Sequence, residues 1–346
     1  MKADRGKSSR APIVRVSNVL PLAELMIEFG LDRAECLRAA DLPANLFDRP
    51  ETAVRLSEID RLLVYCERAA GCDDLGLRIG ERKGAASIGI AGLVSINCAT
   101  IREAWRTVMV GLKTTDTLGA VTLSLSGGRA QLGYELHVRD IEGRHLINDI
   151  ALANIVNGMR DMRGADWRPA EVRLTRGPPC DPRRFEAFYG CPLVYDAPTP
   201  LMVFPAAELD DPLPGALPAH RLVLAPLLEQ ALAQSQDDFI FEARAILRSL
   251  VAVGAPPTQE AFCDVLAIGR DKLKRRFRAH GLTFSDLVEE ARLDVAQTLL
   301  RHGKPVGEVA LAVGYTETSS FTRAFTKSVG VPPSRWRIGD AAPSPI

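Results

Sequence analysis

Nine residues in the last quarter of the chain have side chains suited to contacting DNA. Arginine and lysine bond the O6 and N7 acceptors of guanine or hold phosphates, and serine and threonine reach either a base edge or a phosphate. Four of the nine lie in the basic run 270–278, which has six basic residues and one acid. The candidates are Asp271, Lys274, Arg275, Arg278, Lys304, Thr318, Ser319, Thr322 and Arg323.

Different contacts are expected from different candidates. Arg323 is expected to read a base, and Lys304 is expected to hold a phosphate. Asp271 is unusual beside DNA, and two roles stay open for it. Its carboxylate accepts a hydrogen bond from cytosine N4, or it pairs with a neighbouring lysine or arginine. A basic run alone is most often a solvated helix face, so its function has to be inferred from the helices that carry it.

Two helix-turn-helix units are predicted to position these side chains. The first covers residues 258–280, with Thr258 as the N-cap of its first helix and a second helix at 270–279. The second unit covers residues 306–327, and Thr316 is the predicted N-cap of its second helix. Each unit reads as helix, three-residue turn, helix, which is the spacing that lets the second helix lie in a major groove.

The apolar pattern separates an inner from an outer face on both second helices. Leu273 and Phe277 are four residues apart, and so are Phe321 and Phe325. Residues at this spacing share one side of a helix, so these four are predicted to face the core. The candidate DNA contacts then face outward.

A helix at 285–300 is predicted to connect the two units, with Ser285 as its N-cap and Gly303 and Pro305 after its end. Sixteen residues span roughly 24 Å at the α-helical rise. That length suits two recognition helices about one DNA turn, roughly 34 Å, apart. A footprint of roughly 15–20 bp per monomer is therefore expected.

Four segments within residues 237–337 carry a resemblance to a known family. They are Leu273-x-x-x-Phe277 with Arg275-Arg276, then Val309-Ala310 with Val313-Gly314-Tyr315, then Ser319-Ser320-Phe321-Thr322-Arg323-Ala324-Phe325 with Lys327, then Gly330-Val331-Pro332-Pro333-Ser334 with Trp336-Arg337. Through them the region resembles the DNA-binding domain of AraC/XylS transcription regulators. The resemblance implies binding to double-stranded promoter DNA and, in most members, activation through contact with RNA polymerase.

The first turn departs from the family pattern. Ala267 stands where the family usually has glycine, and Gly269 stands where it usually has a serine cap. Alanine in a left-handed turn costs about 1 kcal/mol or more, so the register of this turn is expected to be shifted.

Residues 11–205 have the pattern of one mixed α/β domain. Alternating stretches on either side of Gly127-Gly128 predict a β-hairpin at 121–138, and a helix is predicted at 144–163. The segment from Gly89 to Ala104, together with the hairpin after it, resembles the arabinose-binding type of effector domain that accompanies this DNA-binding domain. The resemblance implies a small-molecule effector of unspecified identity, or a role in dimerisation that leaves a homodimer open.

The expected fold class is α+β, with a mixed N-terminal domain and an all-α C-terminal domain whose two helix-turn-helix units share a linker helix. The expected boundaries are a basic disordered tail at 1–10, an effector domain at 11–205, a proline-rich linker with a helix at 206–236, the DNA-binding domain at 237–337 and a tail at 338–346. The net charge of zero divides between these parts. Residues 256–337 sum to +4, and residues 11–255 sum to −6.

Several classes of protein are set aside by what the sequence lacks. It contains no apolar run long enough to cross a membrane and no secretory signal, which favours a cytoplasmic protein. Its seven cysteines include no Cys-x-x-Cys pair, and neither a metal site nor a cofactor is expected. His137 and His145 are expected at the surface or as caps, and Asp210-Asp211 is expected in a solvated turn. No catalytic motif occurs, so the protein is not expected to be an enzyme.

These patterns favour a sequence-specific transcription regulator, expected to activate in response to a small molecule. A ligand-independent DNA-binding protein and a repressor are the alternatives that the sequence leaves open.

Overall fold

The computed structural model describes residues 13–336 except 51, 116–117, 137, 139–140, 235–238, 253, 267–268 and 302. Buried apolar side chains form two separate cores, one between Val14 and Leu228 and one between Phe239 and Phe325. We call residues 13–234 the first unit and residues 239–336 the second unit. The predicted combination of a mixed α/β part and a helical part is confirmed.

The first unit contains a five-stranded sheet and a two-stranded sheet among its described residues. The strands are β1 Ile13–Arg15, β2 Ala53–Arg55, β3 Gly119–Ser126, β4 Arg129–Leu136, β5 Glu171–Arg173, β6 Leu193–Val194 and β7 Leu201–Pro205. The larger sheet has the order β3-β4-β7-β5-β6, in which only β5 and β6 run parallel. β1 and β2 form the smaller, antiparallel sheet.

Helices surround these strands and supply most of the first core. They are α1 Leu22–Glu28, α2 Arg33–Ala39, α3 Leu56–Ala70, α4 Leu75–Glu81, α5 Ile90–Ser95, α6 Ile101–Gly111, α7 Arg144–Arg163, α8 Arg183–Tyr189 and α9 Pro218–Gln234. The helix predicted at 144–163 is α7. Strand β2 lies between α2 and α3. Its three residues are too few for an alternating pattern to be recognised in the sequence.

The hairpin predicted around Gly127-Gly128 is confirmed. Ser126 faces Arg129 across the end of the ladder, and the two glycines have φ of 56° and 74°. Two successive positive φ values define the type I′ turn whose twist matches the flanking strands, and glycine adopts them without steric cost.

Two helices of the first unit approach closely where glycine replaces a side chain. A Cβ at Gly80 on α4 would lie 2.6 Å from the Cβ of Ala153 and 2.8 Å from the carbonyl oxygen of Ile150, both on α7. Because nothing larger than hydrogen fits there, α4 and α7 pack backbone to backbone.

The segment expected to begin a linker belongs in part to the first unit. Ala206–Asp210 forms a short 3₁₀ turn, and Leu209 and Leu213 are buried in the first core. Asp210 accepts hydrogen bonds from Arg102 at 2.8 and 2.9 Å, which holds the turn against α6. The prolines predicted a linker, and composition alone could not show that Leu209 and Leu213 would be buried in the first core.

The second unit is helical throughout its described residues, as predicted. Its helices are α10 Phe239–Ala252, α11 Gln259–Leu266, α12 Arg270–Ala279, α13 Phe284–Arg301, α14 Val306–Ala312 and α15 Thr318–Val329. Helix α10 packs on α13 of its own unit and on β3 of the first unit. Ala267, where the sequence departs from the family pattern, falls outside the described residues. No described helix is both long and apolar enough to span a membrane.

Two predicted caps are wrong. Helix α13 begins at Phe284, and its cap is Thr283 rather than Ser285. The Thr283 hydroxyl accepts from the Asp286 amide at 3.2 Å, and the Asp286 carboxylate accepts from the Thr283 amide at 2.9 Å. This reciprocal pair is a capping box with aspartate in place of glutamate. Helix α15 begins after Glu317 rather than Thr316, and no side chain caps it.

Candidate nucleic-acid interface and the cleft between the units

The exposed face of α12 carries four of the nine sequence-predicted candidates. Leu273 and Phe277 are 1% and 4% exposed, so the predicted inner face is confirmed. The rings of Phe277 and Phe239 lie 5.0 Å apart, and the ring of Phe284 at the start of α13 is 6.2 Å away. The exposed candidates on the opposite side are Asp271, Lys274, Arg275 and Arg278.

Two of the other charges of α12 are held by neighbours. The guanidinium of Arg276 lies 5.0 Å from the centroid of the Phe239 ring, and Arg270 pairs with Glu260 at 3.5 Å. Within the described part of the chain Asp271 makes no ion pair with a lysine or arginine. Its carboxylate is exposed beside the other three candidates.

Helix α15 repeats this arrangement with smaller polar side chains. Phe321 and Phe325 are each 2% exposed, which confirms their predicted burial. Their rings contact those of Tyr315 and Trp336 at 5.6 and 5.9 Å. The outward-facing candidates are Thr318, Ser319 and Arg323, which are exposed, and Thr322, which is half-buried.

The polar side chains at the start of α15 are partly engaged within the helix. The Ser319 hydroxyl donates to Glu317 at 3.2 Å, and Arg323 donates to the Ser320 hydroxyl at 3.4 Å. Both contacts are long and exposed, so they cost little to replace by contacts to DNA. The amides of the first turn, which no side chain caps, are suitably placed to contact a phosphate.

Helix α13 connects the two candidate helices through different parts of its length. At its start Phe284 packs on Phe277 of α12, while further along Glu289 accepts a hydrogen bond from the Tyr315 hydroxyl at 2.9 Å. Burial, followed by this hydrogen bond, raises the pKa of Tyr315. Eighteen residues give α13 a length of about 27 Å. Lys304 is exposed in the turn between α13 and α14.

A polar cleft between the two units was not predicted from the sequence. Its volume is about 1030 Å³ including its open mouth, and its walls come from β4 and α7 of the first unit and from α10 and α13 of the second. Arg248 of α10 and Glu135 of β4 form an ion pair across it at 3.0 Å. His145 also lines the cleft and meets the carboxylate of Glu67 at 3.1 Å. That hydrogen bond raises the pKa of His145.

Helix α7 also carries a buried acidic residue. Asp149 on α7 is 1% exposed, and its carboxylate lies 3.2 Å from the guanidinium of Arg176. Burial raises the pKa of Asp149 to about 6, although Arg176 opposes this change. No sequence pattern indicated this group, because its burial depends on the packing of α7.

A second cavity lies inside the first unit and is mostly apolar. It occupies about 730 Å³ including its mouth, between α3, α7 and the β3–β4 hairpin. The Lys83 side chain lines it and donates to the carbonyl oxygen of Asn18 at 2.8 Å. Its lining is otherwise dominated by aliphatic side chains.

The remaining sequence candidates have structural roles or lie outside the described residues. Asp211 pairs with Arg163 at 2.5 Å, so the pair Asp210-Asp211 is engaged by arginines rather than free in a turn. His137 falls outside the described residues. In the part of the chain that the structure describes, no group of three or more histidine, cysteine or acidic side chains is placed to hold a metal.

Comparison with known proteins matches both units to described families. Residues 30–213 match the arabinose-binding domain found at the N-terminus of AraC transcription regulators, and residues 262–338 match a helix-turn-helix domain. Two relatives cover nearly the whole chain. The Ornithine utilization regulator of Pseudomonas aeruginosa is 25% identical over 94% of this chain and 97% of its own length. The transcriptional regulator VirS of Mycobacterium tuberculosis is 23% identical over 94% of this chain and 96% of its own.

A third relative matches only the C-terminal part. The transcriptional activator RhaR of Escherichia coli is 27% identical over 27% of this chain and 34% of its own length. These similarities, together with the two helix-turn-helix units, identify a DNA-binding regulator of transcription.

Proposed function

This chain belongs to the AraC transcription regulators that have an arabinose-binding domain at the N-terminus, and on that basis we propose a division of labour between its units. The first unit senses a small molecule, and the second reads promoter DNA in the cytoplasm. We place the boundary between Gln234, where α9 ends, and Phe239, where α10 begins. This extends the sensing part beyond residue 205, because Leu209 and Leu213 are buried in its core.

The DNA contacts are assigned to α12 and α15. The observation that supports this most directly is that both helices bury an apolar pair and expose a basic or polar face. Arg275 and Arg323 are proposed to read bases, with Lys274 and Arg278 alongside Arg275. Lys304 is proposed to hold a phosphate between the two helices. Base or phosphate contacts on the same faces are proposed for Asp271, Thr318, Ser319 and Thr322.

Hydroxyl-radical footprinting of the full-length protein on its own promoter DNA tests this arrangement. We expect two protected major-groove segments about one turn apart within roughly 15–20 bp per protomer. Protection of one segment only would mean that the second helix-turn-helix unit does not engage DNA.

We propose that the regulator activates transcription by contacting RNA polymerase. The similarity of the second unit to an activator supports this direction of regulation, whereas a repressor would occlude the polymerase site. Transcription in vitro with purified RNA polymerase and the footprinted promoter distinguishes the two. An increase in transcript on addition of the protein is expected, and a decrease would establish repression.

We propose that the regulator responds to an effector and that it is not an enzyme. One relative's name refers to ornithine utilisation, which makes amino acids the first effector class to examine. DNA affinity should then change when the effector is added, and the effector should be recovered unchanged. An affinity that no compound alters would favour the ligand-independent alternative. Consumption of the compound would indicate an enzymatic first unit.

We propose that the first unit forms a homodimer through α9. Three aliphatic side chains on this helix are strongly exposed: Leu222 at 78%, Val223 at 68% and Leu227 at 49%. Exposed apolar surface of this kind marks interaction sites in soluble proteins. Light scattering should give a molar mass twice that of the chain. Replacement of Leu222 and Leu227 by glutamine should lower the measured mass to that of a monomer. A monomer in the unaltered protein would exclude this surface as a dimer contact.

A further inference from the structure

The cleft between the units has the charge pattern of a site for a molecule with no net charge. Three carboxylates and three guanidinium groups line it: Glu135, Glu142, Asp294, Arg144, Arg248 and Arg301. His145 adds a positive charge when protonated, which Glu67 balances at 3.1 Å. A ligand with net charge would leave an uncompensated charge in a partly desolvated space, which is costly. A ligand with opposite charges at two ends avoids that cost.

The ion pair across the cleft offers one partner for each end of such a ligand. Glu135 and Arg248 are 7% and 19% exposed on their side chains and lie 3.0 Å apart. An ammonium group placed on Glu135 and a carboxylate placed on Arg248 would give each of these side chains a ligand partner of opposite charge. Charge-assisted hydrogen bonds of this type are the stronger class, and arginine binds carboxylates in a bidentate manner.

A second cation is available on the C-terminal side of the cleft. Arg301 at the end of α13 has its guanidinium 5.3 Å from the centroid of the Trp336 ring. Among the described residues it has no carboxylate partner within ion-pair distance. It therefore supports Arg248 in attracting a ligand carboxylate.

Asn148 points independently to a ligand with hydrogen-bond donors. This residue is 3% exposed and lines the cleft from α7. Its side-chain amide donates to the Thr175 hydroxyl at 2.8 Å, but among the described residues its Oδ1 atom has no hydrogen-bond partner. Buried acceptors without partners are rare and costly in folded proteins. An ammonium group is a donor that would satisfy this oxygen.

We propose that the cleft is the effector site and that it binds a small zwitterion of the amino-acid class, with its ammonium on Glu135 and Asn148 and its carboxylate on Arg248 and Arg301. The inference rests on the proposed function in one respect, the assignment of a sensing role. Because the ligand's two ends contact different units, binding changes the free energy of the contact between β4 and α10. This links occupancy of the cleft to the position of the DNA-binding unit.

The apolar cavity of the first unit is less suited to this ligand class. Its aliphatic lining offers no carboxylate to an ammonium group, and it lies entirely within one unit. A ligand there would have no direct contact with the second unit.

Calorimetric titration of the full-length protein with the twenty common L-amino acids and L-ornithine tests the ligand class. At least one is expected to bind with a dissociation constant below about 1 mM. Its amine without the carboxylate, and its acid without the α-ammonium group, should each bind at least tenfold more weakly. For L-ornithine these controls are 1,4-diaminobutane and 5-aminopentanoate. Failure of every amino acid to bind, or equal binding of a control compound, would overturn the proposal.

Variants of the cleft then locate the site. Asn148→Leu and Arg301→Gln should each weaken binding of that amino acid at least tenfold. Asn148→Gln keeps an acceptor without adding a charge and should bind more tightly than Asn148→Leu does, so it distinguishes loss of the acceptor from a folding defect. Arg38→Gln, on the exposed face of α2, is the control and should have no effect. Equal affinity in all four variants would place the ligand elsewhere and refute the assignment.

The same proteins separate this inference from the regulator function. With no amino acid present, Asn148→Leu should bind the footprinted promoter as the unaltered protein does, because the residue lies outside both DNA-facing helices. Promoter binding without amino-acid binding refutes the cleft assignment alone. Amino-acid binding by a protein that protects no promoter sequence supports the cleft and refutes the proposed DNA-reading role.

Discussion

Arg248 on α10 and Glu135 on β4 form an ion pair across the junction of the two units, with 3.0 Å between the Nε and Oε1 atoms. Asp294 of α13 lies 3.9 Å from the same guanidinium. One arginine thus meets a carboxylate from each unit, so the stability of the junction should depend on it.

Glu135→Leu should lower the free energy of unfolding by about 2–4 kcal/mol, because it leaves Arg248 in a largely buried site with its nearer partner removed. The double variant Glu135→Leu, Arg248→Met should lower the free energy of unfolding by less than the sum of the two single changes. Urea denaturation of all four proteins measures this coupling. Strictly additive losses would show that the pair does not contribute to the junction.

Arg323→Ala should weaken binding to the footprinted promoter by about 1–3 kcal/mol and relax specificity at one or two base pairs, since arginine contacts to guanine are strongly discriminating. Competition binding against single-base promoter variants measures both effects. Lys113→Ala on the first unit is the control and should leave both unchanged. An equal loss on promoter and random DNA would reassign Arg323 to a phosphate.

Lys304→Ala should weaken binding to promoter and random DNA alike, because a phosphate contact carries no sequence information. The slope of log K against log salt concentration should fall in magnitude by about 1. Fluorescence anisotropy across a range of salt concentrations gives the slope. An unchanged slope would exclude Lys304 from the phosphate contacts.

Gly80→Ala should destabilise the first unit by about 1–3 kcal/mol, because the added methyl group collides with Ala153 and with the Ile150 carbonyl where α4 meets α7. Gly215→Ala is the matched control, since no atom lies within 4 Å of its added Cβ. Thermal unfolding should show a lower midpoint for the first change only. Similar midpoints for both would mean that the two helices separate at low cost.

The pH dependence of stability should report on Asp149. Its pKa of about 6 in the folded protein lies above the ordinary aspartate value of 3.8, so the folded state binds a proton more tightly than the unfolded state. This contribution is fully present below pH 3.8 and is lost as the pH rises to about 6. Between those pH values the free energy of unfolding of the unaltered protein should fall by roughly 2–4 kcal/mol relative to that of Asp149→Asn. Parallel stability curves for the two proteins would contradict the raised pKa.

Local patterns in the sequence predicted the parts of the structure that depend on neighbours along the chain. The spacing of Leu273 and Phe277 predicted their burial, and Gly127-Gly128 predicted the hairpin. The cap of α13 was misplaced by two residues, because Thr283 and Ser285 are both competent caps and only the reciprocal contact with Asp286 selects between them.

The cleft could not be predicted because it requires contacts between distant segments. Nothing near Glu135 in the sequence indicates that Arg248 will face it, and Asn148 reads as an ordinary helix residue. The burial of Asp149 likewise follows from how α7 lies against the rest of the first unit. Tertiary packing, rather than periodicity, determines all three.

Helix α10 packs on α13 of its own unit and on β3 of the other, so one helix belongs to two interfaces. A regulator built in this way is not freely modular. A hybrid that joins this DNA-binding unit to the sensor of a distant relative would set α10 against a foreign strand and remove its partner at Glu135. A working exchange of sensors would therefore require that the β3–β4 hairpin and α10 are transferred together.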